Sequence, residues 1–332
     1  MPQPMIQVKD LTKVYRVPER APGLKASIRS LFKPQTIDVP AVTGISFTIA
    51  PGEMVGLIGP NGAGKTTTLK MLSGLLTPTR GSATVAGFTP WERKPDYLRR
   101  ISMVMGNRSA MNWDIPPLDS FRVLAEIYRV DPQNYSNTLD ELIALLEMEA
   151  LLKKPVRNLS LGERMKCELV GGLLYRPDVL FLDEPTLGLD VAMQRRLRQF
   201  LHKYNQDHTV TVILTSHYMA DVTALCQRVM LIHHGQLIYD GALHALAEKL
   251  APFKLVRLQF SAPVRDFEGF VAKFDTVEIL PQENGHPTLR VPRALIAPVT
   301  AQILENLPVA DLAVEDPPIE AVIDRIYEEG TV

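Results

Sequence analysis

The chain has 332 residues, of which 46% are apolar and 22% are charged, and its formal net charge is −1. This length is enough for two domains with sizeable cores, and the near-zero charge argues against binding nucleic acid through bulk positive charge. No apolar run reaches the ~20 residues of a membrane-spanning helix, and the N-terminal segment lacks the pattern of a signal peptide. We therefore expect a cytoplasmic protein, and any membrane-spanning part that it needs would be supplied by a partner protein.

The N-terminal segment, residues 5–15, is predicted to form a strand and a turn, and the following stretch, 17–39, is rich in proline. Within it, Leu24–Lys33 carries apolar residues at helical spacing beside a basic stripe, which predicts a short amphipathic helix. Two interpretations of this helix stay open. It either rests on a permease or on anionic lipid, or packs as a surface flap on its own domain.

Strands and helices alternate through the next two hundred residues. MVGLIG is a short buried strand that runs into a glycine-rich loop, and the helix that follows is predicted to end near Pro78. The pattern is helical from Leu118 to Leu152, and VLFLDEP and TVTVILTSH are two further buried strands. This alternation predicts an α/β fold, a mostly parallel sheet with helices on both faces.

The character of the sequence changes after about Leu250. Strands and helices are predicted in the order β-α-β-β-α-β, which is typical of a ferredoxin-like domain. A further helix is predicted to begin at Asp316, with Pro317 in its first turn. We interpret this region as a second, smaller α+β domain.

The two cysteines, Cys167 and Cys226, lack the spacing of metal ligands and are interpreted as small buried thiols in a reducing compartment. The adjacent pair His233 and His234 offers too few ligands for a metal site. Gly171 and Gly172 lie in a predicted helix, where glycine is unfavourable, so close packing is expected there.

The segment Gly59–Thr66, GPNGAGKT, matches the phosphate-loop pattern and has a strand before it and a helix after it, as that motif requires. Its glycines let backbone N–H groups converge on phosphate oxygens at a helix N-terminus. Lys65 is predicted to reach the β- and γ-phosphates of ATP, and the Thr66 hydroxyl to bind Mg²⁺.

Asp183 and Glu184 end the buried strand VLFLDEP. Ligands of open α/β sheets bind at that edge. An aspartate there can hold the magnesium that Thr66 also contacts, and a neighbouring glutamate can act as the general base that activates water. The two motifs together predict an ATPase.

The segment before that strand indicates which class of P-loop ATPase the chain resembles. NLSLGER, Asn158–Arg164, resembles the signature sequence of ABC ATPases, TLGLD at 186–190 resembles their D-loop, and His217 resembles their switch histidine. Tyr15 stands where that family places an aromatic residue against adenine. MGNRSAMNWDIP, Met105–Pro116, strongly resembles a bacterial subgroup that serves ABC-2 type permeases and carries an N-terminal insertion and a C-terminal accessory domain.

The resemblance implies a P-loop NTPase core of ABC ATPase type with a helical subdomain and a small α+β C-terminal domain. The implied boundaries are an ATPase domain at 1–240 with an insertion at 17–39 and a helical subdomain at about 105–170, and an accessory domain at 250–332.

The resemblance also implies the site. Contacts to ATP are expected from Tyr15, Gly59, Asn61, Gly62, Ala63, Gly64, Lys65, Thr66, Thr67, Ser160, Gly162, Glu163 and Asp190. Thr66, Asp183 and Asn107 are expected to contact Mg²⁺, and Glu184 and His217 are expected to be catalytic. Each ATP would lie between the phosphate loop of one subunit and the signature of a second copy, and closure of this homodimer would drive export through a separate permease at the cytoplasmic face of the inner membrane.

Two positions depart from the family pattern. Asn107 replaces the usual glutamine of the Q-loop and is one methylene shorter, so it reaches the metal through a bridging water or leaves that role to a neighbour such as Arg108. Glu163 replaces the usual glutamine of the signature, which puts a negative charge either near the ATP phosphates or against the ribose.

Other functions stay open as alternatives. A soluble ABC ATPase that acts on ribosomes usually carries two cassettes, and one that acts on DNA carries a long coiled coil, whereas this chain shows one cassette and no sustained heptads. A non-hydrolysing regulatory subunit is disfavoured by the presence of Lys65, Asp183, Glu184 and His217.

Overall fold

The computed structural model of the chain describes most of the sequence. The described residues are 3–18, 36–106, 109–250, 252–283, 286–317 and 323, with backbone alone for 247–250, 281–283 and 286. The predicted amphipathic helix Leu24–Lys33 lies outside these ranges, and so does most of the helix predicted from Asp316. The chain divides into two compact units, Met1–Leu243 and His244–Val332, and each is considered by itself.

Thirteen strands lie in the described ranges. They are β1 Ile6–Pro18, β2 Thr36–Ile49, β3 Met54–Ile58, β4 Arg80–Val85, β5 Ile101–Met105, β6 Val179–Asp183, β7 Thr211–Thr215, β8 Arg228–His233, β9 Gln236–Ala242, β10 Phe253–Phe260, β11 Glu278–Glu283, β12 His286–Pro292 and β13 Val309–Glu315.

Ten α-helices lie in the same ranges. They are α1 Lys65–Leu72, α2 Pro95–Leu98, α3 Pro117–Tyr128, α4 Pro132–Leu146, α5 Leu161–Leu173, α6 Val191–His208, α7 Met219–Leu225, α8 Leu243–Leu250, α9 Phe267–Val271 and α10 Ile296–Asn306.

The first unit is built on a six-stranded sheet in the order β5-β6-β7-β3-β8-β9. All neighbouring pairs are parallel except β8 with β9. Every residue of β3, β6 and β7 is buried, as expected of parallel strands that are covered on both faces. The predicted α/β fold is therefore confirmed. The carboxyl ends of these three strands meet at one edge, where ligands of such sheets bind.

A second sheet, antiparallel and in the order β2-β1-β4, adjoins the hydrophobic core of this unit. β1 and β2 form a long hairpin in which Tyr15 lies opposite Val39. Ile6 and Ile49 at the other end of the hairpin are fully buried in the core. The hairpin thus has one anchored end and one exposed end, and Tyr15 lies at the exposed end.

The predicted helical pattern from Leu118 to Leu152 is broken in the structure. α3 ends at Tyr128, where Arg129 adopts a left-handed conformation, and α4 begins after Asp131. The Asp131 carboxylate accepts hydrogen bonds from two backbone N–H groups, and Pro132 occupies the first helical position, where its missing N–H costs nothing. An aspartate followed by proline is a readable start signal, so the apolar spacing alone misled the prediction.

The glycines of α5 are explained by close packing, as predicted. A Cβ atom on Gly171 would lie 2.6 Å from Cε of Met111, and one on Gly172 would lie 2.6 Å from Oγ of Ser102. Both distances are far below van der Waals contact, so α5 approaches β5 and the loop after it more closely than alanine would permit.

The second unit has its own small core. Its strands form an antiparallel sheet in the order β11-β12-β10-β13, and its elements follow one another as β-α-β-β-α-β between β10 and β13. Val256, Leu289 and Ile303 are fully buried at the centre of that core. This arrangement is ferredoxin-like. The boundary between the units falls at Leu243.

Removing the Phe181 side chain should destabilise the first unit. Phe181 is fully buried at the centre of β6, so we expect Phe181→Ala to lower the free energy of unfolding by about 3–5 kcal/mol. Both tryptophans, Trp91 and Trp113, lie in this unit, so their fluorescence during urea denaturation reports its unfolding. The matched control is Val191→Ala, since Val191 is 72% exposed and its truncation should change stability by less than about 0.5 kcal/mol. An equal effect of the two substitutions would contradict the prediction.

Candidate active site

The phosphate loop leaves β3 at Gly59 and enters α1 at Lys65. Gly64 adopts φ 109°, a conformation that side-chain-bearing residues rarely take, and a Cβ atom on it would lie 2.5 Å from the Ala41 carbonyl oxygen. Gly59 is equally confined, because its Cβ would lie 2.3 Å from the carbonyl oxygen of Ile232. The backbone therefore fixes the shape of the loop, and Asn61 at its tip is exposed.

The remaining predicted residues of the loop are distributed around it. Gly62 is exposed, Ala63 is buried, and Thr66 and Thr67 are half-buried in the first turn of α1. The Ala63 carbonyl accepts a hydrogen bond from the N–H of Gly235 at 3.0 Å, which ties the loop to the turn between β8 and β9.

Lys65 is buried at the start of α1, with 5% of its surface exposed. Its Nζ donates hydrogen bonds to the carbonyl oxygens of Gly59 at 2.6 Å and Pro60 at 3.1 Å. Burial lowers the pKa of Lys65 below its usual value, and the nearby carboxylates of Glu184 and Asp183 act in the opposite direction. The ammonium is thus held inside the loop that is predicted to surround phosphate.

Asp183 ends β6 and is paired in register with Thr215 of β7. Its Oδ1 accepts hydrogen bonds from the hydroxyls of Thr66, at 3.0 Å, and Thr215, at 2.7 Å. The structure therefore brings together the two predicted metal contacts, Thr66 and Asp183. The third, Asn107, lies outside the described residues, although Gly106 just before it donates its N–H to the Asp183 carbonyl at 2.9 Å.

The oxygen atoms at this point suit magnesium. Mg²⁺ prefers hard oxygen ligands and is usually held by one or two carboxylates together with substrate phosphates. Within the described ranges, no group of three or more His, Cys, Asp or Glu side chains is placed to hold a metal by itself. The donors of Thr66 and Asp183 therefore fit an ion that is bound together with a nucleotide.

Glu184 and His217 face each other across the ends of β6 and β7. Glu184 Oε1 lies 2.7 Å from His217 Nε2, and both side chains are partly exposed. Glu184 has φ 54°, in the left-handed region, and its N–H donates to both the carbonyl and the hydroxyl oxygen of Thr215. A non-glycine residue in this conformation costs of order 1–3 kcal/mol and persists only where its surroundings hold it.

The signature residues begin α5. Ser160 is its N-cap, and its hydroxyl accepts a hydrogen bond from the N–H of Glu163 at 3.3 Å, while the Glu163 carboxylate accepts one from the Ser160 N–H at 2.7 Å. This reciprocal pair is a capping box. The bond from the Ser160 backbone is the main reason that the pKa of Glu163 lies below its usual value. Gly162 packs against Met193, whose Cγ would lie 3.0 Å from an added Cβ.

Asp190 and Tyr15 are the last predicted nucleotide contacts. Asp190 is the N-cap of α6, where its Oδ1 accepts a hydrogen bond from the Met193 N–H at 2.9 Å. Tyr15 is 37% exposed on β1, with Lys13 Nζ 5.5 Å from the centre of its ring. Both residues thus present polar or aromatic groups that are accessible from outside the chain.

Similar proteins identify the family. A family model described as "ABC transporter" matches residues 42–187, and another described as "EvrA-like ABC transporter, C-terminal domain" matches residues 252–315. The ABC transporter ATP-binding protein NatA of Bacillus subtilis is 33% identical over 210 residues, which are 63% of this chain and 85% of NatA. The chain belongs to the family of ABC transporter ATP-binding proteins.

Two further relatives of this ABC protein support that placement. The Nod factor export ATP-binding protein I of Burkholderia lata is 36% identical over 211 residues, 62% of this chain and 67% of that protein. An ATP-binding cassette solved as a dimer in a post-hydrolysis state with ADP and Pi shares the fold, with a TM-score of 0.59, 21% identity, and coverage of 72% of this chain and 98% of the cassette. This ABC protein therefore binds ATP and is an ATPase.

The hydrogen bonds of Glu168 in this ABC ATPase were not predicted from the sequence. The carboxylate of Glu168, two turns into α5, accepts hydrogen bonds from the N–H groups of Ala110 and Met111 and from the hydroxyl of Ser109. Glu168 is 8% exposed. It therefore fastens the segment just after Asn107 to the helix that carries the signature, and no local pattern in the sequence announces this contact.

None of the helices in the described ranges of the ABC protein is both long enough and apolar enough to cross a bilayer. The two cysteines, Cys167 and Cys226, are buried and unpaired with each other, and burial raises the pKa of each thiol to about 12. Their interpretation as small buried thiols is confirmed.

The capping box predicts how the free energy of unfolding of the ABC protein depends on pH. Because the folded-state pKa of Glu163 is lowered, the ionised carboxylate stabilises the fold above the unfolded pKa of about 4.3, and this contribution is lost as the pH falls through the folded value. Glu163→Gln keeps the hydrogen bond and removes the charge near the helix N-terminus, so it should lower the free energy of unfolding by about 0.3–1 kcal/mol at pH 7.

This difference between wild type and Glu163→Gln should shrink as the pH falls below the unfolded pKa of about 4.3 and disappear once the pH lies well below the lower folded pKa. Urea denaturation followed by tryptophan fluorescence at several pH values measures it. Glu147→Gln is the matched control, since the Glu147 side chain is 73% exposed and its partner Arg196 is 61% exposed. A difference that stays constant from pH 7 to pH 3 would contradict the assigned role of the Glu163 charge.

Proposed function

We propose that this ABC ATPase works as a Mg²⁺-dependent homodimer at the cytoplasmic face of the inner membrane, where it drives export through a separate ABC-2 type permease. Export is supported by the resemblance of Met105–Pro116 to the ABC-2 subgroup and by the named role of the Nod factor relative. The observation that carries the catalytic part is the meeting of Lys65, Asp183, Glu184 and His217 at one edge of the sheet.

In this proposal Glu184 is the general base. Its carboxylate takes the proton of the water that attacks the γ-phosphate, which is the role that its position beside the strand-end aspartate suits. His217, at 2.7 Å from that carboxylate, contacts the γ-phosphate and orients the water. Lys65 places a positive charge beside the β- and γ-phosphates, where negative charge accumulates in the transition state.

Thr66 and Asp183 are the proposed magnesium ligands. The ion would neutralise phosphate charge when it is bound with ATP, and the hydroxyl of Thr66 and the carboxylate of Asp183 already lie within a hydrogen bond of each other. Asn107 is proposed as a further contact, directly or through water, because Gly106 before it is bonded to the backbone of Asp183.

The signature is proposed to act on the ATP of a second copy of the chain. Ser160 and Asp190 are exposed, so a partner could approach them, and the related cassette was solved as a dimer. Ser160 and Gly162 would bond the γ-phosphate, and Asp190 would couple the two sites. Glu163 is proposed to act through Ser160, whose N–H it holds, and Tyr15 to stack on adenine.

A membrane partner is supported by the surface beside β5. An open groove there is lined by Leu75, Ile127 and Glu168, among others. Leu75 is 52% exposed, and on α3 the side chains of Val123 and Ile127 are 54% and 65% exposed. Val123 and Ile127 are one helical turn apart and share a face. Neighbouring exposed apolar side chains of this kind mark interaction sites, and we propose that the permease docks on them.

Replacing the proposed base should stop turnover without stopping binding. We expect Glu184→Gln to lower the ATPase kcat by about 100-fold or more, while the affinity for ATP is kept and the homodimer accumulates on gel filtration with ATP. Steady-state kinetics and equilibrium binding of a fluorescent ATP analogue measure the two effects. Glu147→Gln on the surface is the control and should keep wild-type turnover, which should itself cease in excess EDTA. Near-normal kcat in Glu184→Gln would refute the assignment of the base.

The permease surface can be tested separately from catalysis. The double variant Val123→Ser, Ile127→Ser should lose most of the integral membrane protein that co-purifies with the tagged chain from gently solubilised membranes, and should keep its ATPase activity. Leu304→Ser, at a residue that is 57% exposed on α10, is the control. Unchanged recovery of the membrane partner would refute this docking surface. An absence of any membrane partner with the wild type would favour the alternative of an ABC ATPase that is not coupled to transport.

A further inference from the structure

A buried carboxylate, Asp221 of α7, lies behind the Glu184–His217 pair. Its side chain is fully buried. Oδ2 accepts hydrogen bonds from the hydroxyls of Thr186 and Ser216, the latter at 2.7 Å, and Oδ1 accepts one from Nη1 of Arg198 at 2.7 Å. One carboxylate thus joins three segments, which are the loop after β6, helix α6 and the loop after β7.

Two of these segments carry the proposed catalytic residues. Thr186 is two residues after Glu184, and Ser216 directly precedes His217. The Ser216 hydroxyl also accepts a hydrogen bond from the Tyr218 N–H at 3.0 Å, so it holds the backbone on the far side of His217 as well. Because Thr186 and Ser216 bond to the same oxygen atom, Asp221 fixes the separation of the two chain segments from which Glu184 and His217 project.

Arg198 completes the cluster. It projects from α6, and its side chain is 16% exposed, so it brings a nearly buried positive charge to the carboxylate. A buried ion pair of this kind is weak evidence for a role in stability, since desolvation offsets much of the attraction. In some proteins such a pair instead fixes one arrangement of the groups around it.

The geometry points to a further function for Asp221. We propose that Asp221 is a positioning residue for ATP hydrolysis, which holds the Glu184 and His217 segments at their working separation through Thr186 and Ser216. This inference rests on the proposed roles of Glu184 and His217. A base displaced by about 1 Å from the attacking water costs up to about 100-fold in rate, so a loss of this clamp should appear in kcat.

Two substitutions remove one hydroxyl each and leave the Asp221–Arg198 pair intact. Thr186→Val and Ser216→Ala should each lower kcat by about tenfold or more while the KM for ATP changes by less than about twofold. Thr186→Ser retains the hydroxyl and should recover most of the wild-type kcat. The matched control is Thr138→Val, because Thr138 is also buried and its hydroxyl also bonds a charged side chain, accepting a hydrogen bond from Nε of Arg176 at 2.9 Å.

Thr138→Val separates positioning from stability. It removes a buried hydrogen bond between a hydroxyl and a charged side chain away from the site, so it should lower the melting temperature by a similar amount and leave kcat unchanged. Asp221→Asn is a further variant, which keeps the shape of the side chain and removes its charge. It should lower kcat by at least as much as Thr186→Val, with the fluorescent ATP analogue bound at wild-type affinity.

The outcomes decide whether the Asp221 cluster positions the catalytic residues or only stabilises the fold. A drop in kcat confined to the Thr186, Ser216 and Asp221 variants, with rescue by Thr186→Ser, would support positioning. Wild-type kcat in Thr186→Val and Ser216→Ala, or losses in them no greater than in Thr138→Val, would overturn it. Failure of the proposed function itself would look different, because the wild-type protein would then lack turnover or Glu184→Gln would retain it.

Discussion

The carboxylate of Asp183 is the point on which the site depends. One of its oxygen atoms accepts hydrogen bonds from Thr66 on the phosphate loop and from Thr215 on β7. Because Asp183 itself ends the fully buried strand β6, these bonds fasten the loop to the buried part of the sheet. The position of Lys65, one residue before Thr66, follows from this attachment.

Two carboxylates, those of Asp183 and Asp221, hold the chain at the end of β7. Thr215, the last residue of β7, bonds to Asp183, and the next residue, Ser216, bonds to Asp221. His217 follows directly after both. Glu184, which has a left-handed conformation, lies in the chain between Asp183 and Thr186. Both of these residues are hydrogen-bonded to other segments, so the strained residue is held on either side.

The parts of this site that are local in sequence could be predicted, and those that depend on distant contacts could not. The phosphate loop and the pair Asp183 and Glu184 are recognised from the spacing of their residues and from the strand before each of them. The capping box at Ser160 was also readable, since serine is followed three residues later by glutamate, although that glutamate was expected near ATP. The contact of Glu168 with Ala110 and that of Asp221 with Thr186 join residues that are tens of positions apart, and nothing near Glu168 or Asp221 in the sequence identifies these partners.

Helix α5 runs from the signature to the groove beside β5, which is lined by Glu168, Gly171 and Gly172 among others. Ser160 caps its first turn, and Glu168, about 12 Å further along the axis, grips the backbone of Ala110 and Met111. Glycines at 171 and 172 seat the far part of the helix tightly against Met111 and Ser102. A tilt of the helix by about 5° about Glu168 would carry Ser160 through about 1 Å, which is the scale on which a hydrogen bond to phosphate is made or broken. In the proposed function, a partner that pushes on the groove would therefore act on the nucleotide through this helix.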